Sequence, residues 1–206
     1  MIIDAPAPPV DRRRVEPPAR PPAARPPGDR PDDVEEISWV TAARGGDRVA
    51  FARLHRRYAR TVHGVVLARV PARDVDDVVQ DVFVTALERL SALRDAAAFG
   101  PWLCAIARSR STDHLRRRAP REHEALPDEE ALRAAGVPAV VRAQASEALE
   151  AVRALPEAYR ETLVLRLVEG LTGPEIADRT GLTPGSVRVN LHRGMKLLRE
   201  RLGGDA

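Results

Sequence analysis

The stretch that decides the fold is residues 171–194, LTGPEIADRTGLTPGSVRVNLHRG. Pro174 suits the first turn of a helix, because that position needs no amide donor. Gly181 can take the left-handed backbone geometry that closes a helix, and Thr183 can cap a second helix that begins at Pro184. The pattern therefore predicts two helices joined by a short, stiff turn, which is a helix-turn-helix.

The second helix of this pair has one apolar stripe and one polar, cationic face. Val187, Leu191 and Leu198 recur at spacings of four and seven, which places them on the core side. The opposite face fits the major groove of duplex DNA, where Arg bridges guanine acceptors, Ser reaches base edges and Val meets a thymine methyl. Taken alone, the segment also fits the solvated surface of an ordinary helical domain. The candidate base-reading residues are Ser186, Arg188, Val189, His192 and Arg193.

Composition favours an all-α fold and excludes several kinds of site. Aromatic residues make up only 3% of the 206 residues, so the cores must be built from Leu, Val and Ala, and no sustained alternating strand pattern is present. Cys104 is the single cysteine and the five His form no cluster, so we expect no disulfide, no metal and no cofactor.

The chain carries no pattern typical of membrane insertion or export. No apolar run approaches the about 20 residues that span a bilayer. Residues 1–14 lack the apolar core of a signal peptide. We therefore expect a cytoplasmic protein without membrane insertion.

Charge is distributed unevenly along the chain. Residues 94–121 hold seven Arg against two acidic residues, and residues 184–201 hold five basic residues against one Glu. Residues 122–150 reverse the balance, with two Arg against seven acidic residues. The sequence thus predicts two basic modules joined by an acidic connector, and clustered Arg predicts attraction to phosphate.

Two small helical domains account for most of the chain. We predict a first helical domain over residues 34–119 and a helix-turn-helix domain over residues 141–203, joined by a flexible acidic linker over residues 120–140. Residues 1–33 hold ten of the eighteen prolines and are predicted to be a disordered Pro/Arg-rich tail. A polyproline ligand or an added basic contact is the alternative for this tail.

Periodic apolar residues and capping signals place the individual helices. Asp33, Asp47 and Asp95 are the predicted starts of three helices in the first domain, and Pro71 is a predicted stop. The predicted helices cover residues 34–44, 48–70, 73–93 and a stretch from 95, then 142–154 and 157–169 ahead of the helix-turn-helix.

Four stretches, taken in order, resemble the bacterial RNA polymerase sigma factors of the extracytoplasmic-function type. They are residues 74–83 (DVDDVVQDVF), 102–118 (WLCAIARSRSTDHLRRR), 155–170 (LPEAYRETLVLRLVEG) and 171–194. The resemblance covers about residues 34–202. The chain departs from it at Ser109, where the family commonly has Asn. The resemblance implies a two-domain helical protein whose last region is the helix-turn-helix.

The resemblance also implies roles for two polar surfaces. Without the resemblance, a solvated face would be the plainer explanation of the charges on the third helix. With it, Asp77, Gln80 and Asp81 are expected to bind core RNA polymerase. A pocket between the third helix and the Trp102 helix would hold a flipped base, while Trp102 itself is better explained as a core anchor. The residues expected to track phosphates at the downstream promoter element are Arg108, Arg110, Arg116 and Arg117.

The implied function is that of a sigma factor, which binds core RNA polymerase, directs it to a two-part promoter and assists duplex opening. Such a chain is not an enzyme, and its expected partners are core polymerase, promoter DNA and an anti-sigma factor. The alternative is a stand-alone dimeric helix-turn-helix regulator, which would need an apolar dimer seam that the sequence does not show. An interaction adaptor that lost DNA binding is a further alternative, against which the intact Arg series argues.

Overall fold

The computed structural model describes residues 31–118 and 139–203, which fold into eight α-helices with short 3-10 turns and, within those ranges, no strand. The predicted all-α class is confirmed. Residues 1–30 of the predicted tail and 120–138 of the predicted linker lie outside the described residues. The helices are α1 (Pro31–Arg44), α2 (Arg48–Leu67), α3 (Val75–Arg89), α4 (Phe99–Arg118), α5 (Ala139–Arg153), α6 (Glu157–Leu167), α7 (Gly173–Thr180) and α8 (Pro184–Arg201).

Most predicted helix starts are confirmed by capping bonds. The Asp47 carboxylate accepts from the Val49 and Ala50 amides at 2.8 and 3.1 Å and so starts α2. Asp95 accepts from the Ala97 amide at 3.0 Å and starts the turn that leads into α4. The prediction for Asp33 is wrong, because α1 already begins at Pro31, a residue type that suits the first turn of a helix.

Three predicted helices are shorter in the structure than the sequence indicated. The helix predicted over residues 157–169 ends at Leu167, and the one predicted over residues 142–154 spans Ala139–Arg153. The second helix ends at Leu67 instead of about Val70, ahead of Pro71. The predicted helix over residues 73–93 is split, since 3-10 turns over Ala72–Asp74 and Leu90–Ala92 flank α3. The apolar periodicity continues through these turns, so it could not mark their boundaries.

The N-terminal module, α1–α4, is built around α2. Leu54, Val62 and Val65 of α2 are fully buried against the neighbouring helices. The Tyr58 hydroxyl donates to Glu36 Oε1 at 2.6 Å and joins α2 to α1. Burial is the largest cause that raises the pKa of Tyr58 well above its ordinary value, followed by the charge and hydrogen bond of Glu36. The phenol therefore stays neutral and acts as a donor.

The C-terminal module, α5–α8, contains the predicted helix-turn-helix. Gly181 closes α7 with a positive φ of 76°, which costs a glycine little because it has no Cβ. Thr183 accepts from the Ser186 amide at 3.1 Å and starts α8, as predicted. Thr172 and Glu175 form a reciprocal capping box on α7, and the Thr-x-x-Glu spacing is a signal that the sequence analysis missed.

The two modules pack against each other through one continuous apolar cluster. Helix α6 lies against α2, and α7 lies against α4. Leu165 of α6 is fully buried and meets α2 at Gly64, while Pro101 of α4 packs beside Gly181. No local pattern in the sequence indicated this contact between the modules.

Candidate nucleic-acid interface

The outer face of α8 is held in position by a buried inner face. Val187 and Leu198 are 1% and 6% exposed, and Gly194 allows α8 to approach Leu163 and Tyr159 of α6. This packing confirms two of the three predicted core residues of the stripe, while the third, Leu191, is half-buried. The polar and cationic residues on the opposite side of α8 therefore face away from the module.

Four of the five predicted base-reading residues lie exposed on that outer face. These are Arg188, Val189, His192 and Arg193. Ser186 is half-buried, and its Oγ lies 2.8 Å from Thr183 Oγ1, so the helix cap already occupies this hydroxyl. Within the described ranges, neither Arg188 nor Arg193 has an ion-pair partner. The face therefore presents two available guanidiniums, an imidazole and an apolar side chain.

The predicted phosphate-contacting arginines of α4 do not share one environment. Arg117 is exposed, and Arg116 forms an exposed ion pair with Asp113 at 3.0 Å. Arg110 is half-buried beside a cavity on α3 and α4. Arg108 points to the other module, where it binds Glu161. Three of the four thus face away from the contact between the modules.

A cavity of about 350 Å³ lies between α3 and α4, where the resemblance implies a base pocket. Trp102 forms part of its wall and is half-buried, with its ring centroid 5.8 Å from that of Phe99. The cavity combines an apolar wall with polar side chains. It is lined by Thr85, Arg89, Trp102, Ala105, Ile106, Ser109, Arg110 and Asp113.

A second concave surface, the α2–α3 groove, has a volume of about 290 Å³. Val84 and Leu87 contribute to it and are 51% and 52% exposed. Neither residue was predicted from the sequence to take part in a site. The sequence signal for them was that α3 has more apolar residues than its inward stripe can hold, so that some must lie on the exposed side. The groove is lined by Phe51, His55, Asp76, Val79, Gln80, Phe83, Val84 and Leu87.

The predicted polymerase-binding residues lie at and beside this groove. Asp77, Gln80 and Asp81 are all exposed on α3. Only Gln80 lines the groove itself, together with Asp76, which the sequence analysis did not single out. The acidic and apolar residues thus form one surface on α3, with the apolar groove bordered by carboxylates.

Buried acidic residues at the contact between the modules were also missed. Glu161 is 6% exposed and Glu169 is 7% exposed. Burial acts to raise the pKa of Glu161, but the hydrogen bonds and charges of Arg108 and Arg69 outweigh it and hold that pKa below its ordinary value. Glu161 is therefore ionised near neutral pH inside the protein.

Within the described residues, no group of three or more His, Cys, Asp and Glu could hold a metal ion. In the same part of the chain, no helix is long and apolar enough to cross a membrane.

Two family descriptions match the chain, one for each module. Residues 54–121 match Sigma-70 region 2, and residues 145–198 match Sigma-70, region 4. The solved structure of CnrH in complex with the cytosolic domain of CnrY has the same fold, with a TM-score of 0.58 and 24% identity, over 84% of this chain and 99% of CnrH.

Two curated proteins extend the likeness over most of the chain. RNA polymerase sigma factor CarQ of Myxococcus xanthus is 32% identical over 163 residues, which is 78% of this chain and 93% of CarQ. The ECF RNA polymerase sigma-E factor of Escherichia coli K12 is 30% identical over 171 residues, which is 77% of this chain and 90% of that protein.

The fold, the exposed helix-turn-helix face and these matches define a bacterial transcription initiation factor. The chain belongs to the extracytoplasmic-function type of the sigma-70 family of RNA polymerase sigma factors. It binds core RNA polymerase and directs it to promoter DNA, and none of these similar proteins is a stand-alone regulator.

Proposed function

We propose that the three surfaces divide the work of initiation. Helix α8 reads the upstream promoter element, α4 and its cavity engage the downstream element, and the α2–α3 groove docks on core polymerase. The observation that carries this proposal is the outer face of α8, where Arg188 and Arg193 are exposed on a rigidly packed helix. The proposed domain boundaries remain residues 34–119 and 141–203.

The chemistry of the α8 face suits the major groove. Among the described residues Arg188 and Arg193 have no ion-pair partner, so their guanidiniums suit guanine acceptors or phosphates, and Val189, 44% exposed, suits a thymine methyl. Ser186 is a weaker candidate, because its hydroxyl is already bonded to Thr183. We therefore assign base reading mainly to Arg188, Val189 and His192.

The cavity between α3 and α4 has the properties of a site for one unstacked base. Trp102 and Ile106 supply apolar surface, while Ser109 and Arg110 supply hydrogen-bonding groups at the rim. Removing a base from the stack costs a few kcal/mol, which such contacts must offset. Arg117 is exposed at the end of the same helix and suits a phosphate of that strand.

The α2–α3 groove suits a basic helical surface that also carries apolar side chains. Val84 and Leu87 leave about half of their surface in water, which favours burial by a partner. Asp77 and Asp81 lie beside them on α3 and complement a cationic partner. Exposed apolar side chains beside acidic ones favour a surface that binds polymerase over one that only contacts water.

Leu87→Asp tests the docking surface directly. We expect it to weaken association with purified core polymerase by about tenfold or more, because it places a charge in the apolar groove. Leu202→Asp is the matched control, since Leu202 is 48% exposed and lies beyond α8. Asp81→Ala should weaken association less. Equal association of the Leu87 and Leu202 variants would contradict the docking role.

Run-off transcription on genomic fragments, with this chain and core polymerase, tests initiation as a whole. We expect a small set of discrete start sites that share two sequence elements. Transcripts from ends and nicks alone, as with core polymerase by itself, would contradict the proposal.

We further propose that an anti-sigma protein regulates the chain by covering the α2–α3 groove. CnrH is bound by the cytosolic domain of CnrY, and the groove offers exposed apolar surface for a comparable partner. The chain itself performs no covalent chemistry, and the polymerase supplies catalysis. The complex works on the chromosome in the cytoplasm. Co-purification of a protein that protects Val84 and Leu87 from hydrogen exchange would support this partner.

A further inference from the structure

Glu161 joins the two modules through partners that all belong to the other module. Its Oε2 lies 2.8 Å from Arg69 Nη2, and its carboxylate accepts from Arg108 at 2.7 and 3.1 Å. Arg69 follows α2 and Arg108 is on α4, whereas Glu161 is on α6. Separation of the modules would leave this carboxylate in water and both guanidiniums free.

Glu169 repeats the arrangement at the other end of α6. Its Oε1 lies 2.5 Å from His63 Nδ1, and its Oε2 lies 3.8 Å from Arg60 Nε. Both partners are on α2. Glu161 lies on α6 and Glu169 lies just beyond its end, and both carboxylates reach the N-terminal module, with Leu165 between them in sequence. We call these two carboxylates and their four basic partners the carboxylate latch.

Arginines of the C-terminal module also bind the end of α2. Arg153 donates to the carbonyl oxygens of Leu67 and Val70, at 3.2 and 2.7 Å. Arg160 donates to the Ala68 carbonyl at 3.4 Å. These carbonyls lie at the negative end of the helix dipole, so the two cations satisfy groups that α2 cannot satisfy itself.

Close backbone approach shows that the contact between the modules is specific. A Cβ at Gly64 would lie 2.7 Å from Leu165 Cδ2 and 2.8 Å from Glu169 Cγ, both across the contact. A Cβ at Gly100 would lie 2.9 Å from the Arg179 carbonyl oxygen on α7. Larger residues at either position would push the modules apart.

The contact between the modules combines the apolar cluster with ionised pairs, and the ionised pairs are the part of it suited to opening. Buried ion pairs contribute little net stability, because desolvation of the charges offsets their attraction, whereas apolar side chains in the same places would bind more permanently. When the modules separate, the carboxylates of the latch return to water and its basic side chains bind water or phosphate. We call the arrangement in which the two modules are packed together the closed form. Its geometry is specific, but the two modules can separate.

We propose that the closed form is self-inhibited, and that Glu161 occupies the guanidinium of Arg108 in place of a DNA phosphate. This inference rests on the proposed engagement of the downstream element by α4 and on the phosphate contact that the resemblance to sigma factors implies for Arg108. Promoter phosphate and Glu161 compete for the same cation, so closing the modules weakens DNA binding and opening them restores it. The cavity on α3 and α4 and the α8 face remain accessible in the closed form, so DNA can begin to bind before the latch opens.

Cys104 is a natural reporter of opening, because it is the chain's single cysteine and is fully buried beside α7. Its Sγ donates to the Arg179 carbonyl at 3.4 Å, and burial raises the pKa of the thiol to about 12. The thiol should react slowly with a disulfide reagent in the wild-type chain. In Glu161→Gln and Gly64→Leu it should react about tenfold faster or more, since each change weakens the closed form.

Two matched variants control for charge and bulk. Glu147→Gln removes an exposed charge from α5, and Ala52→Leu adds bulk at an exposed position of α2. Both should react as slowly as the wild type, and circular dichroism should show unchanged helix content in all four variants. A wild-type thiol that reacts as fast as in denaturant, or latch variants no faster than the controls, would overturn the closed form.

The inhibitory effect is tested by binding to a mixed-sequence DNA duplex over a series of salt concentrations. Glu161→Gln should bind more tightly than Glu147→Gln, and its salt slope should be steeper by about one, because one more phosphate contact becomes available. Equal affinity and slope in the two variants would overturn the inhibition. If these two variants bind DNA equally but the chain still gives discrete run-off transcripts, the self-inhibition is wrong and the proposed function is retained. Failure of the inhibition is thus distinguishable from failure of the proposed function.

Discussion

Glu161 of α6 and Arg108 of α4 form a two-pronged ion pair, with the guanidinium donating from Nε at 3.1 Å and from Nη2 at 2.7 Å. The hydrogen bond that Arg108 donates to Glu161 is the largest cause that raises the pKa of Arg108, against the effect of burial. Because the pKa of Glu161 is lowered, the pair stays ionised at neutral pH and is lost only as the pH falls through that lowered value.

A double-mutant cycle on Arg108→Ala and Glu161→Ala should give a coupling energy of roughly 1–2 kcal/mol in urea unfolding. This value lies between those of exposed and fully buried pairs, because Arg108 keeps 34% of its side chain exposed. The exposed pair of Arg116 and Asp113 is the control and should couple by less than about 0.5 kcal/mol. Equal coupling in the two cycles would show that the buried geometry contributes nothing.

His63 should titrate above its ordinary pKa of 6.5, because its hydrogen bond with Glu169 outweighs the opposing effect of burial. A raised folded-state pKa means that this contact stabilises the closed form fully below pH 6.5 and that the stabilisation is lost as the pH rises through the raised value. Proton NMR of the imidazole measures the pKa, which should fall toward 6.5 in Glu169→Gln. An unchanged pKa in that variant would remove Glu169 as the cause.

Gly194 and Gly185 should respond to alanine in opposite directions, although both lie in α8. A Cβ at Gly194 would lie 2.9 Å from Leu163 Cδ1, so Gly194→Ala should lower the free energy of unfolding by roughly 0.5–2 kcal/mol. A Cβ at Gly185 would have its nearest neighbouring atom 3.9 Å away, so Gly185→Ala creates no clash. It should raise the free energy of unfolding by up to about 0.5–1 kcal/mol, because alanine lowers the conformational entropy of the unfolded chain. Thermal unfolding of both variants checks the signs, and a shared sign would contradict the packing of α8 on α6.

Local signals explain why the helix-turn-helix could be predicted from the sequence. Gly181 and Thr183 act within a few residues of themselves, and the α8 stripe repeats along a single helix. The exposed positions of Arg188 and Arg193 follow from that repeat alone. Each of these predictions needed no knowledge of where the rest of the chain lies.

Contacts between the modules could not be predicted in this way. Arg108 and Glu161 are 53 residues apart, and no periodic pattern joins them. The series of arginines on α4 looked uniform in sequence, yet one of them faces α6 and three do not. Val84 and Leu87 were missed for a different reason: they fall outside the inward stripe of α3, and no role was assigned to apolar residues left on its exposed side.

The most direct test of the roles proposed for α8 and α4 is run-off transcription in which substitutions in the protein are combined with changes in either promoter element. Core polymerase with the wild-type chain should lose transcript when either promoter element is altered. With Arg188→Ala, alteration of the upstream element should reduce the transcript less than with the wild type, which corresponds to a loss of about 1–3 kcal/mol in discrimination at that element. Alteration of the downstream element should still reduce the transcript. Arg201→Ala, at the exposed end of α8, should behave as the wild type. Full upstream discrimination by Arg188→Ala, or loss of downstream discrimination instead, would contradict the account.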